Sequence, residues 1–190
     1  TVLATPHLGA STEEAQANIS IDIAKQVVNA LRGRPVQNAL NMPSVDAATL
    51  EVLGPYISLA EKLGSLQTQI IGSATIEEVG IEYSGGLFEM DVAPITTALQ
   101  MGMLQPALGD MVNFVNAPLF FSERGIRLTE TRTSGHDAFS NLLTVRVRTG
   151  SGVRVLSGTV AGSQQRLVMI DDYHCSATPE GPMLLVFNND

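Results

Sequence analysis

The chain has 190 residues, 44% of them hydrophobic and 16% charged, so it should form one medium domain or two small ones around a real core rather than a disordered chain. Eleven basic against nineteen acidic side chains leave a net charge of −8, which argues against non-specific nucleic-acid binding. The single cysteine, Cys175, excludes an intramolecular disulfide framework and a multi-cysteine metal site, and with three histidines in all no metal site is expected.

No membrane role is expected either. The longest uncharged run, residues 92–109, contains Pro94, Gln100, Gln105 and Pro106, whose neighbourhood would leave polar groups unsatisfied in hydrocarbon. No basic segment followed by an apolar one opens the chain, so no secretory signal is expected. A start at Thr1 rather than Met predicts a piece of a longer protein.

In chain order, Thr1 to Ala4 reads as the end of a strand running into Pro6. Ser11-Thr12-Glu13-Glu14 then has the form of a capping box with Ser11 as the N-cap. Ile19, Ile23, Val27 and Ala30 follow at helical spacing up to Gly33, which predicts a helix over 11–32. Residues 34–44, with Pro35 and Pro43, read as an extended linker. Residues 47–71 carry a second helical pattern that Gly54-Pro55 should divide into a short and a long piece. A strand is expected over 74–83, turned by Ser84-Gly85-Gly86, and helices over 95–104 and 110–123, separated at Gln105-Pro106.

After Gly125 the hydrophobic period becomes two. Strands are expected over 126–132, 141–148, 153–160, 166–170 and 183–187, with Thr149-Gly150-Ser151-Gly152 closing a hairpin. Helices first and strands later give an α+β class with an antiparallel sheet. Residues 1–115 carry four basic and twelve acidic side chains, whereas 116–190 carry seven of each, so an anion site belongs in the second half, where arginine is the residue to watch.

His7 stands between a strand end and a helix start, beside Pro6 and Gly9. An imidazole there suits proton exchange near neutral pH, and it equally suits an ordinary loop histidine. Thr5-Pro6-His7-Leu8-Gly9-Ala10-Ser11-Thr12, with Glu14-Ala15-Gln16, resembles the catalytic-histidine segment of the D-2-hydroxyacid dehydrogenases. The continuation is similar to the long form of D-3-phosphoglycerate dehydrogenase. Pro35 to Pro43 resembles the exit from its catalytic domains, and Leu59-Ala60-Glu61-Lys62-Leu63-Gly64 the start of its intervening domain. Asn113 to Pro118 and Ser122 to Ile126 resemble that domain's central helix, and Ser157 to Val160 with Arg166 to Ile170 its late strands. Leu184 to Asp190 is similar to the first strand of a serine-sensing ACT domain.

The resemblance implies three parts: residues 1–44 as the tail of the catalytic domains with a linker, 45–182 as an intervening regulatory domain of the allosteric substrate-binding kind, and 183–190 as the start of a truncated ACT domain. It implies a cytoplasmic parent enzyme that oxidises 3-phosphoglycerate with NAD at the first step of serine synthesis. His7 would be its catalytic acid/base, and Gly9 would lie beside the cofactor. The partner glutamate, the substrate-carboxylate arginine and a Gly-x-Gly-x-x-Gly dinucleotide loop do not occur here, so the chain alone is expected to be inactive. Its own role would be assembly as a homo-oligomer and the sensing of a small anion such as 3-phosphoglycerate. The alternative is a stand-alone anion-sensing or oligomerisation module, or a passive spacer.

For that anion the resemblance favours Arg166, with Tyr173 and His174 nearby after the Asp171-Asp172 turn. The competing account pairs Arg166 with Asp171 or Asp172. Arg146 and Arg148 share a strand face by the period of two, and the hairpin register decides whether Arg154 joins them. With a four-residue loop Arg154 opposes Val147 and takes the other face, whereas a five-residue loop unites all three. Cys175 is expected in the core or a strand, and Met90, Met101, Met103 and Met111 as fillers between helices. His136, in a polar loop, is given no role.

Overall fold

The computed structural model describes Pro6 and residues 9–31, 47–135 and 139–188. His7, the linker over 34–44, and His136 lie outside the described residues. The chain divides into two compact units, Thr1–Leu50 and Glu51–Asp190.

In the first unit, α1 (Glu13–Leu31) forms where expected. Its cap is Thr12 rather than Ser11: the Ala15 amide donates to Thr12 Oγ1 at 3.1 Å and the Gln16 amide to the Thr12 carbonyl at 3.0 Å. Glu13 and Glu14 then stand in the first turn, where carboxylates complement the helix dipole. Ile19, Ile23 and Val27, the expected apolar stripe, are 46%, 54% and 51% exposed.

The second unit is built on α2 (Ala47–Ile71) from Glu51 onward, and this helix runs unbroken through Gly54-Pro55, contrary to the expected division. Pro55 removes one helical N–H, but buried Leu53, Tyr56, Leu59, Ala60 and Leu63 on both sides of it hold the helix to the core. Gln165 Nε2 also donates to the Pro55 carbonyl at 2.9 Å. The α3 helix (Ala93–Leu108) likewise takes Pro106 into its last turn instead of stopping before it. Residues 110–123 are not one helix. A 3-10 turn, Gly109–Met111, is followed by an asparagine-locked loop and then by α4 (Ala117–Glu123). In that loop Asn113 Oδ1 accepts from the amides of Val115 and Asn116 at 2.9 and 3.1 Å, and Asn116 Oδ1 accepts from the Asn113 amide at 2.8 Å.

Six strands complete the unit: β1 (Ile76–Gly85), β2 (Arg127–Thr133), β3 (Asn141–Thr149), β4 (Gly152–Ala161), β5 (Gln164–Ile170) and β6 (Tyr173–Ala177). They lie in the order β2-β1-β3-β4-β5-β6. The class is α+β as expected, and β1 with β3–β6 is antiparallel throughout. The β1–β2 pair is parallel, because the connection between them passes through α3 and α4. Residues 183–187 form no strand, and β6, which periodicity did not reveal, does.

One sheet face carries Val79, Ile81 and Tyr83 of β1 opposite Val147, Val145 and Leu143 of β3, all essentially buried. Gln67 of α2, fully buried, donates to the carbonyls of Val145 and Arg154 at 3.3 and 3.1 Å, which ties the helix to this face. A Cβ on Gly158 of β4 would lie 3.0 Å from Leu59 Cδ1, so helix and sheet meet closely there. Of the four methionines expected as fillers, Met103 is buried, whereas Met111 is 66% exposed on the 3-10 turn.

Candidate anion site on strands β5 and β6

Arg166 lies in the regular part of the β4–β5 ladder, opposite Thr159. Thr159 follows Gly158, which faces α2, so alternation puts Thr159 and Arg166 on the other sheet face. There the guanidinium donates to Gln164 Oε1 at 2.9 Å and to Ser176 Oγ at 3.4 Å. His174, opposite Met169, is exposed and stands two residues before Ser176, so both project from the same side of β6. The fold therefore gathers Arg166, Ser176 and His174 on one face of the β5–β6 hairpin. A guanidinium has five N–H groups in a planar fork, and only two of Arg166's acceptors are protein atoms among the described residues, neither of them a carboxylate.

Neither of the two acids that could pair with Arg166, Asp171 or Asp172, forms an ion pair with it, and Asp171 is already engaged. Asp171 takes a positive φ of 50° in the β5–β6 turn, a conformation that aspartate tolerates better than most residues. Its carboxylate accepts from the Arg154 guanidinium and from the Val155 amide, the latter at 3.0 Å, and its own amide donates to the Val155 carbonyl at 2.7 Å. Arg154, not Arg166, thus holds this acid.

The hairpin register settles the second arginine group. Thr149 pairs with Gly152 and Val147 with Arg154, so Arg154 takes the helix-facing side while Arg146 and Arg148 point the other way. The latter two are matched by glutamates of β1. Arg146 meets Glu82 at 2.7 Å, and Arg148 meets Glu77 at 2.6 Å and Glu78 at 2.5 Å. The Arg148 hydrogen bond holds the Glu78 carboxyl below its ordinary range, and the same bond pushes Arg148 up. This is a self-neutralised, solvated lattice with little left for an outside anion.

Beside the β5–β6 turn lies a cleft of about 320 Å³ lined by Ile170, Tyr173 and residues 185–188. Arg154 reaches over the Phe187 ring in that tail, 4.9 Å from its centroid. Reading 183–187 as a strand hid this cleft. Ser176 and Gln164 are not among the expected site residues: the turn at Asp171-Asp172 is legible, but the strand after it is too short and mixed to show a period. Cys175 lies in β6, half-buried, with its thiol pushed up by burial and its Sγ 3.6 Å from the Leu167 carbonyl. Gly9 lies in an exposed turn with no described atom within 4 Å of a would-be Cβ. Among the described residues no three histidine, cysteine or acidic side chains cluster as a metal site, and no helix is long and apolar enough to cross a membrane.

Residues 52–171 match the profile of the D-3-phosphoglycerate dehydrogenase intervening domain. Over its whole length the chain is 35% identical to a D-3-phosphoglycerate dehydrogenase of Archaeoglobus fulgidus, of which it covers 36%, and 35% identical to one of Synechocystis sp., of which it covers 34%. It is 32% identical to the Bacillus subtilis protein of the same name, again covering 36% of it. The chain thus spans about a third of the length of these curated relatives.

Proposed function

Since the chain belongs to the D-3-phosphoglycerate dehydrogenase family and contains its intervening domain, we propose that it is the regulatory and assembly segment of such an enzyme and that Arg166, with Ser176 and His174, receives a small anion of the 3-phosphoglycerate class. The observation that carries the anion reading is Arg166 itself: an arginine on an accessible strand face, hydrogen-bonded only to neutral groups, while Arg146, Arg148 and Arg154 all have carboxylates. Phosphate and carboxylate both fit the guanidinium fork.

In this proposal the intact, cytoplasmic enzyme oxidises 3-phosphoglycerate with NAD in serine synthesis, and His7 exchanges the proton of the substrate hydroxyl. None of the chain's 17 glycines falls in a Gly-x-Gly-x-x-Gly run, and Gly9 is one isolated glycine in an open turn. Binding of NAD therefore belongs to other parts of the enzyme, with Gly9 beside it at most, and the chain by itself is inactive. Residues 183–190 would begin an ACT domain. The exposed Ile19, Ile23 and Val27 stripe of α1 gives the isolated chain a surface for self-association.

Titration calorimetry of the chain with 3-phosphoglycerate tests the anion site. The expected result is saturable binding that Arg166→Ala abolishes. Binding that survives this substitution unchanged would place the anion elsewhere, and no binding by a folded chain would leave an assembly segment.

A further inference from the structure

After β6 the chain returns along β5. Lys62 of α2 donates to Gln165, near the start of β5, at 2.6 Å and meets Glu180 at 3.0 Å, and Pro179 is buried, so this end of the returning segment is fixed. Gly181, at a φ of 67°, and Pro182 follow. Residues 183–188 then join no helix or strand, and Leu184 and Val186 are 88% and 76% exposed. At the far end of β5, residues 185–188 form one wall of the cleft of about 320 Å³, and Ile170 and Tyr173 form the other. A segment with no backbone ladder and so little burial belongs to the least stable part of a fold, so side chains must hold it.

The holding group is Arg154. Its guanidinium lies 4.9 Å from the centroid of the Phe187 ring, within the range where a ring face attracts a cation. Arginine carries much rotamer entropy, which a weak ring contact alone does not offset. Here the guanidinium is already held by Asp171, whose carboxylate is in turn fixed by the Val155 amide at 3.0 Å. The ordering cost is therefore met before the ring arrives. We propose that residues 183–188 form an arm that pivots at Gly181-Pro182 and is clasped over the β5–β6 turn by Arg154, with Asp171 keeping the clasp closed through Arg154. Opening the arm removes one wall of the cleft, so the cleft exists only while the clasp is shut. This device is independent of the anion site and of the α1 stripe.

The chain has no tryptophan, so Phe187→Trp places a single fluorophore in the clasp and keeps an aromatic ring there. Its steady-state anisotropy reads whether the arm tumbles with the body or moves freely. In Phe187→Trp the expected value is that of a side chain fixed to the whole chain. Adding Arg154→Thr or Asp171→Asn should each lower it at least twofold. Asp172→Asn removes the same charge one residue along and should leave it unchanged. Circular dichroism checks that each variant keeps its secondary structure. An anisotropy already that of a free tail in Phe187→Trp, one that survives Arg154→Thr or Asp171→Asn in a folded chain, or equal falls in Asp171→Asn and Asp172→Asn would each overturn the inference.

Discussion

Arg154 holds the carboxylate of Asp171, at the end of β5 away from Arg166. Asp171 accepts from the Arg154 guanidinium on one oxygen and from the Val155 amide at 3.0 Å on the other, and its backbone sits at a φ of 50°. Asp171→Asn keeps a residue that tolerates this backbone but removes the charge. Because both partners are partly exposed, the expected loss is about 1 kcal/mol in urea unfolding. Asp171→Ala should cost roughly 1–2 kcal/mol more, through the positive φ. Equal losses for the two would show that the turn carries no conformational demand.

The two long helices of the second unit meet through glycine. A Cβ on Gly64 would lie 2.4 Å from the Leu99 carbonyl oxygen, and one on Gly102 would lie 2.0 Å from that of Glu61. Neither overlap can be relieved by a rotamer change, so α2 and α3 must separate. Gly102→Ala should therefore destabilise by roughly 1–3 kcal/mol, the usual range for overpacking, or more. The Gly64→Ala/Gly102→Ala double variant should lose less than the sum, since one separation relieves both contacts. Strict additivity in denaturant unfolding would contradict this account of the helix pair.

Tyr83 makes the alkaline limb of stability readable. It is fully buried under α3, with its hydroxyl 2.6 Å from Thr96 Oγ1, and Thr96 in turn donates to Glu130. Burial raises the Tyr83 phenol far above its ordinary value of about 10, with Glu130 adding to the rise and the Thr96 bond opposing it. A folded pKa above the unfolded one gives stability that is complete below pH ~10 and is lost as pH rises beyond it, because the unfolded chain releases its proton first. Tyr83→Phe should cost about 1 kcal/mol at neutral pH and flatten this alkaline decline. Tyr56, raised by burial against its Asn141 hydrogen bond, and Cys175, raised by burial, add to it. An unchanged alkaline slope in Tyr83→Phe would contradict the assignment.

On the solvated face the prediction concerns titration rather than stability. The Glu78 carboxyl sits below its usual range chiefly through the Arg148 hydrogen bond, aided by the charges of Arg148 and Arg127. In Arg148→Gln, the Glu78 carboxyl resonance should titrate at higher pH than in the parent chain. A titration unmoved by the substitution would mean that the pair does not persist in solution.

Most of the element order was legible because the periodicities were strong: α1 and five of the six strands stand near their expected places. The misses have local physical causes. Pro55 and Pro106 were given breaking power that burial of Tyr56, Leu59 and Leu63, or a position in the last turn, overrides. The Asn113–Asn116 lock interrupts what composition alone presents as helix. β6 carries Tyr-His-Cys-Ser-Ala, too short and mixed to announce itself, and 183–187 has strand-like residues without a ladder to join. Arg166 and His174 were visible as residue types, but their shared face depends on the β5–β6 register. The pairing of Asp171 with Arg154 depends on the turn between them. Neither is written in spacing.

The most direct test of the regulatory reading is the melting temperature of the chain with 3-phosphoglycerate, with sulfate and NADH as comparisons and Arg166→Ala as the control. A ligand that binds only the folded state, at ~100 times its dissociation constant, adds roughly 2.7 kcal/mol of stability. The account predicts an upward shift with 3-phosphoglycerate that exceeds those with sulfate and NADH and disappears in Arg166→Ala. A melting temperature unmoved by all three ligands, or a shift that Arg166→Ala retains in full, would contradict it.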